Sequence, residues 1–372
     1  MFAIAEPIKT KPIRLGFIGL SATGPLSSDF SLVAVSTTNT DSAQASAKKY
    51  SELSSNVVKP YYGSAEHIAA DKDIDMLVVS VRVTHHKEVA LKAIKGGKDL
   101  FIEWPAGKSL EETKEIYEAA MRMGVKTVVG FQSRFNAYAL KTKSIIESGE
   151  IGKIITSSFT VSLGFPLYGP TAPEAAKYLL NSSNGVTLVD LLGGHMFDLL
   201  TYILGPISSL TALLQNQIPL ITIIGNDGKP TGETVPYDGA NQVCVSGVLV
   251  SGAVFNVNIQ SGAKQSPDFN WVIHGENGTV RIIDDDRMKV MGFFDASPEV
   301  YLNGTKVELE DVGVSALPVN SEKSSTTATG LAWKAYADGK SGTYATLEQA
   351  LKMKEVIAAM KKSSEEGRRI HF

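Results

Sequence analysis

Cysteine is almost absent from this chain. Cys244 is the only one, so no internal disulfide can form and the stapled scaffolds of small secreted domains are excluded. It stands in Val243-Cys-Val245, where a buried strand residue is expected rather than a nucleophile. Histidine is scarce as well. The six are scattered, with none at ligand spacing to cysteine or acids, so no metal centre is expected. An excess of one charge is also missing. The net charge of −3 gives no case for nucleic acid or an anionic membrane as a direct partner. No apolar run approaches the roughly 18 residues of a spanning helix. The opening residues, Met1 to Glu6, lack the basic start and long apolar core of a signal peptide. A cytoplasmic protein is expected, with the nucleus equally compatible. What is present is an ordinary globular composition, 43% hydrophobic and 20% charged, over 372 residues. That is length for about two domains.

The most informative stretch is Ile13-Arg-Leu-Gly-Phe-Ile-Gly19-Leu-Ser21-Ala22-Thr-Gly24. An apolar run ends in a turn spaced Gly-x-Ser-x-x-Gly, the dinucleotide fingerprint with serine in its second place. The first glycine allows the tight turn, the second position lets backbone approach a pyrophosphate, and the third packs helix on strand. Gly19, Ser21, Ala22 and Gly24 are therefore cofactor candidates. Only Pro25 to Phe30 separate this turn from the next strand, around Leu32–Val35. A strand-to-strand crossover with its helix needs about 10–12 residues, so the phosphate-holding helix is expected to be one turn long or absent. The second strand ends in Ser36-Thr37-Thr38-Asn39, with no acid. An acid there binds ribose hydroxyls and disfavours a 2′-phosphate. Its absence favours NADP, with NAD also possible, and Lys48 or Lys49 is the candidate partner of the phosphate.

Strand and helix then alternate. Apolar strands at Asp75–Val81, Asp99–Glu103 and Val125–Phe131 flank helices at His86–Lys95, stopped by Gly96-Gly97, and Leu110–Arg122, capped by Ser109. This pattern gives a doubly wound parallel sheet of the Rossmann type with a shortened first crossover. From about residue 155 the grammar changes to long alternating strands. Phe255, Val257 and Ile259 alternate with Asn256, Asn258 and Gln260, and Asn303-Gly304 marks a type I′ hairpin. A C-terminal α+β domain with a large, mostly antiparallel open sheet is expected. The domains are drawn as 1–134 and 135–344, with a terminal helical segment, 345–372, packing back on the first domain or the interface. The open sheet suggests a homodimer or tetramer.

The Gly19 turn, His86-x-Glu, Glu103-x-Pro105, Phe131-Gln-x-x-Arg134, Gly194-His195-x-x-Asp198 and Thr346-Leu-Glu-Gln-Ala350 follow in one order over nearly the whole chain. Together they resemble the glucose–fructose oxidoreductase/inositol dehydrogenase family, and most of all its fungal branch, which includes the galactose-pathway repressor of yeasts. The resemblance implies a two-domain NAD(P)-dependent enzyme acting on a sugar or polyol. In that family a lysine of Glu-Lys-Pro takes the hydroxyl proton, assisted by a histidine and an aspartate four residues before it. Here Trp104 replaces the lysine and Leu191 the aspartate. Asp190 is five residues before His195, about 140° away on an α-helix, and serves only where the backbone is irregular. His195 and Asp198 remain as catalytic candidates, on one helix face at i, i+3. The resemblance implies Val81, His86, Glu103, Trp104 and Pro105 at the cofactor, and Trp104, Arg134, Tyr168 and His195 at the substrate, with Tyr168 in a loop that covers it.

Three readings stay open at this stage. The first is an NADP-dependent oxidation or reduction of a sugar or polyol. The second is a catalytically silent protein that senses a sugar or nucleotide and binds a regulatory protein partner. The third is a relative that binds no cofactor.

Overall fold

The structure is a computed structural model. It describes residues 11–19, 29–54, 56–163, 168–262, 268–284, 298–309 and 325–372, with the side chains of 325–327 left out, and the counts below are of those residues. Strands β1 (Ile13–Ile18), β2 (Phe30–Thr37), β3 (Lys59–Tyr62), β4 (Met76–Val79), β5 (Asp99–Ile102) and β6 (Thr127–Val129) form one sheet in the order β3-β2-β1-β4-β5-β6. Every pairing is parallel. The direction of strand addition reverses between β1 and β4, and ligands bind beyond the carboxyl ends of the strands at such a point.

Helices α1 (Thr40–Ser54), α2 (Ala65–Ala69), α3 (His86–Lys95) and α4 (Leu110–Met123) supply the crossovers. Local chemistry sets their ends. Ser64 accepts from the Glu66 amide, Ser109 accepts from the Glu112 amide at 3.2 Å, and Gly124 closes α4 in the left-handed region. Asn39 caps α1, its Oδ1 accepting from Ser42 N at 2.9 Å. Residues 19–29 separate β1 from β2 in the sequence. Ser21, Ala22 and Gly24, with the expected short helix, lie outside the described residues.

Helix α5 (Ala137–Glu147) leads to β7 (Ile154–Leu163), and α6 (Gly194–Leu204) follows a π-turn at Val189–Gly193. A small sheet joins β8 (Thr171–Pro173), β10 (Leu220–Ile224) and β11 (Pro230–Pro236). The large sheet is made by β7 with β9 (Ile207–Gln215), β12 (Gln242–Leu249), β13 (Val254–Ser261), β14 (Asp268–Gly275), β15 (Thr279–Asp284), β16 (Glu299–Leu302), β17 (Thr305–Val307) and β18 (Ile370–His371). Its order is β17-β16-β15-β14-β7-β13-β12-β9-β18, antiparallel except for β7 with β13. The hairpin turn is as expected, with positive φ at Asn303 and Gly304.

One face of this sheet is open. Cys244 lies on it and is exposed, contrary to the buried strand residue expected. Its neighbours Val243 and Val245 take the core side, and strict alternation puts the residue between them on the other.

Helix α7 (Ser325–Ala337) lies within the span drawn above as 135–344 yet packs on the first sheet. Its Trp333 meets Phe17, Phe30 and Phe101 at ring distances of 6.0, 5.4 and 5.1 Å. Helix α8 (Leu347–Glu366) ties both sheets together. Its first amide, on Leu347, donates to Thr127 of β6, and near its end Ser363 and Ser364 accept from the amides of Ala212 and Leu214 on β9. One apolar cluster accordingly runs from Leu77 and Ile102 through Trp104 to Phe159 and Trp271. The segment Ser182–Leu204 is long and apolar enough to cross a membrane by composition, but 83% of its apolar window is buried inside this core.

Candidate functional site

Parallel register fixes the floor of the crevice. Ile18 pairs with Ser36 and Val79, Val79 with Ile102, and Ile102 with Val129. The next residue on each strand makes the row Thr37, Gly19, Ser80, Glu103, Gly130 at the carboxyl edge. Gly19 has φ +95, and a Cβ there would lie 2.1 Å from the Ser80 carbonyl oxygen. The fingerprint's first glycine is thus required by both conformation and space. Among these five side chains, Glu103 alone carries an acid. It makes no hydrogen bond or ion pair among the described residues, and burial pushes its carboxyl up to about 7. Gly130 leaves it room, since a Cβ at 130 would lie 2.4 Å from Glu103 Oε2.

The loops above this row are tied to each other by His86. His86 is buried, with Nε2 2.9 Å from the Val81 carbonyl and Nδ1 2.9 Å from the Pro105 carbonyl. A neutral ring donates to one of these at a time, and burial lowers its pKa. Expected as a cofactor contact, His86 instead staples the loop after β4 to the loop after β5. At the far end, Thr37 Oγ1 is engaged with Ser42 Oγ at 2.6 Å, while Thr38 is exposed at the end of β2. The carboxyl edge of the sheet stays free of acid on this side, as read from Ser36 to Asn39. Lys48 and Lys49 are a different matter. They lie about 12 Å further along α1 at the usual helical rise, and Lys49 sits over the Tyr50 ring, so neither stands at the strand end as expected.

Trp104 is buried against the π-turn. It is 5% exposed, and its Nε1–H donates to the carbonyls of Asp190 and Leu191 at 3.1 and 3.2 Å. The π-turn presents these two carbonyls to the indole. Gly194 admits it, since a Cβ there would lie 2.4 Å from the ring. Trp104 also packs on Phe131 at 4.6 Å, with the Lys354 Nζ 5.3 Å over its ring. Expected at the cofactor and the substrate, Trp104 instead forms a clamp between the domains.

The π-turn is the irregular backbone that a five-residue spacing needs. Bonding from i to i+5 brings Asp190 and His195 towards one side. The Asp190 carboxylate is nevertheless used elsewhere. Thr187 donates to it at 2.5 Å and Lys361 at 2.8 and 3.0 Å, with Lys354 Nζ 4.0 Å away. Lys354 was not singled out by the sequence. It is 2% exposed, has no hydrogen-bond partner among the described residues, and burial lowers its pKa to about 8.

His195 is 3% exposed behind the edge of Phe131, at a ring distance of 5.5 Å, and burial drives its pKa down to about 3. Asp198 does not orient it. The Asp198 carboxylate accepts from Arg134 Nε at 2.8 Å and from its terminal nitrogen at 2.5 Å, both groups buried, and Arg134 stacks on Tyr202 at 4.7 Å. The two expected site residues Arg134 and Asp198 are therefore spent on each other. Tyr168, expected to cover a sugar, is fully buried. Its hydroxyl donates to the Val186 carbonyl at 2.6 Å, and its ring meets Tyr237 at 5.7 Å. An internal hydroxyl partner is what allows a tyrosine to be buried in this way.

Beside the crevice, Arg82 follows Val81 and lies over the Tyr178 ring at 5.1 Å. With Lys177, Asn181, Asn184 and Asp238 it lines a groove of about 690 Å³, within the size range of small-molecule sites. No group of three or more His, Cys, Asp or Glu able to hold a metal occurs among the described residues.

A nicotinamide dinucleotide fits the floor. Gly19 makes the tight turn at the switch point, and beyond it lies a carboxyl with no partner among the described residues. Such a cofactor supplies hydride exchange; Gly19, Thr37 and Val81 are the described residues that would hold it, with Glu103 at the same edge.

Residues 14–131 match the family described as "Oxidoreductase family, NAD-binding Rossmann fold", and residues 137–283 match "Gal80p, C-terminal domain". Dehydrogenase aclE of Aspergillus oryzae is 27% identical over 96% of this chain and 98% of its own. The galactose/lactose metabolism regulatory protein GAL80 of Saccharomyces cerevisiae is 31% identical over 79% of this chain and 71% of its own. A crystal structure of a super-repressor mutant of Gal80p from the same yeast superposes with a TM-score of 0.82. It is 24% identical and covers 97% of this chain and 98% of that one. The chain belongs to the glucose–fructose oxidoreductase/inositol dehydrogenase family of nicotinamide-dinucleotide-binding proteins, in the branch with the Gal80-type second domain.

Proposed function

We propose that this chain is an oxidoreductase that prefers NADP to NAD and interconverts a hydroxyl and a carbonyl on a small sugar or polyol. The observation that carries this reading is the carboxyl-edge row, where a tight glycine turn and an acid with no partner among the described residues lie on either side of the switch point. The acid-free end of β2 supports NADP over NAD. The groove beside Arg82, lined by amides and both signs of charge, suits a ligand made mostly of hydroxyls. The test is a titration with NADPH and NADH followed by energy transfer from tryptophan. A screen of D-glucose, D-xylose, sorbitol and myo-inositol at the nicotinamide absorbance band follows. Tighter NADPH binding with turnover of one probe is expected, and no binding at millimolar levels refutes the reading.

A second reading is favoured by one specific observation: Trp104 fills the place of the family's lysine and is clamped there, with His195 sealed behind Phe131. Under it the protein binds the dinucleotide without chemistry and presents it, or a sugar, to a protein partner. Saturable NADPH binding with no turnover of any probe is its signature. The polar open face of the large sheet, with Asn256, Asn258 and Cys244, supports pairing into a dimer or tetramer, which sedimentation velocity measures.

A further inference from the structure

We propose that Glu103 is the proton-transfer residue of the crevice, taking over from the lysine that Trp104 replaces. This rests on the oxidoreductase reading. Four observations converge on it. Glu103 is the one acid in the row Thr37, Gly19, Ser80, Glu103, Gly130, on the far side of the switch point. It lies two strands from the Gly19 turn, roughly 10 Å at the usual strand spacing. Its carboxylate has no partner among the described residues, and Gly130 is bare where a Cβ would displace it. The other titratable groups nearby are excluded from the task. His86 is tied to the carbonyls of Val81 and Pro105. His195 is enclosed behind Phe131, and Lys354 lies beyond the Trp104 ring. None of them acts on the Glu103 carboxyl, whose rise to about 7 comes from burial alone. A general base works best with a pKa near the working pH.

The step balances as follows. The alcohol carbon loses its hydride to the oxidised nicotinamide dinucleotide, which is the oxidant. The O–H bond breaks, and its electron pair becomes the second bond of the carbonyl. The proton passes to a Glu103 oxygen and leaves to water after the product departs. Reduction of the carbonyl runs the same transfers backwards, with Glu103 as the acid.

The full chain is tested with NADP⁺ and NADPH as probes. An ionised Glu103 faces the positive ring of NADP⁺ and the neutral ring of NADPH. Calorimetry is therefore expected to show NADP⁺ binding about tenfold more tightly at about pH 8 than at about pH 6, with NADPH nearly flat. Glu103→Gln keeps NADPH binding and loses the slope. Infrared spectra of the nucleotide-free protein show one carboxyl titrating near neutrality, absent from Glu103→Gln. Turnover of any oxidised probe polyol falls by about a hundredfold or more in that variant, with little change in NADPH affinity. An equal NADP⁺ slope in both proteins, or no carboxyl titrating near neutrality, overturns the proposal while leaving the dinucleotide reading intact. Absence of binding by both dinucleotides overturns the oxidoreductase reading, and the proposal with it.

Discussion

The crevice edge of the first sheet and the junction beneath α6 both bury titratable groups, and burial acts on them in opposite directions. At the edge it raises one carboxyl, Glu103, to about 7. At the junction it lowers His195 to about 3 and Lys354 to about 8. In each case the neutral form gains. The raised acid lands where proton exchange at neutral pH is easy. The depressed histidine remains a neutral ring that is hard to protonate. The junction also neutralises its charges internally, through Arg134 with Asp198 and Lys361 with Asp190. Its groups hold two domains together, whereas the edge leaves one group without a partner among the described residues.

The sharpest way to break this comparison is at the junction. Asp198→Ala leaves the Arg134 guanidinium buried without its carboxylate and is expected to cost about 3–5 kcal/mol, read by urea unfolding. NADPH binding at subsaturating denaturant should fall only as the folded fraction falls. Next comes pH. Between about pH 6.5 and pH 3 the unfolded chain binds a proton at residue 195 that the folded chain refuses. Stability therefore falls on acidification at about 1.4 kcal/mol per pH unit from this group. His195→Gln is expected to flatten the profile relative to the parent protein over that window.

Gly194→Ala puts a methyl 2.4 Å from the Trp104 ring and is expected to cost about 1–3 kcal/mol by overpacking, again read by urea unfolding. Its effect on NADPH affinity should be slight, since Trp104 is buried and bonded to the π-turn carbonyls. The smallest change is a gain. Lys354 has a lowered pKa, so the folded chain refuses a proton between about pH 8 and pH 10.5 that the unfolded chain binds. Stability from this group rises with pH across that window and is lowest below it. Lys354→Met keeps the packing on Trp104, leaves Asp190 its Lys361 partner, and is expected to be neutral or stabilising by about 1–3 kcal/mol at pH 7. The gain should vanish above about pH 10.5.

Much of the fold is written in local chemistry. The caps at Ser109 and Thr346, the stop at Gly96, the hairpin at Asn303-Gly304 and the apolar runs of β4 and β5 each specify their element from a few neighbouring residues. The site is less local. Trp104 reads as a ligand contact until the π-turn supplies its two carbonyl acceptors, and no periodicity announces that turn. Arg134 and Asp198 are 64 residues apart, and nothing near either one shows that they neutralise each other. Lys354 sits in an ordinary amphipathic helix, and only tertiary packing brings it over an indole. Tyr168 follows a Gly/Pro-rich stretch, which suggests a surface loop, yet its hydroxyl finds a carbonyl inside. The Glu103 signal was present in Glu-x-Pro, but the room for its carboxyl depends on Gly130, just past β6 and 27 residues on.

The claim that joins fold, family and site is that the crevice above Gly19 holds a nicotinamide dinucleotide despite its short first crossover. The most direct measurement is a titration of the full chain with NADPH, read as energy transfer from tryptophan to the reduced ring. Saturable transfer with a Kd between about 1 μM and 1 mM, abolished by Gly19→Val, is the expected result. No saturation at millimolar NADPH, or the same binding in Gly19→Val, contradicts it.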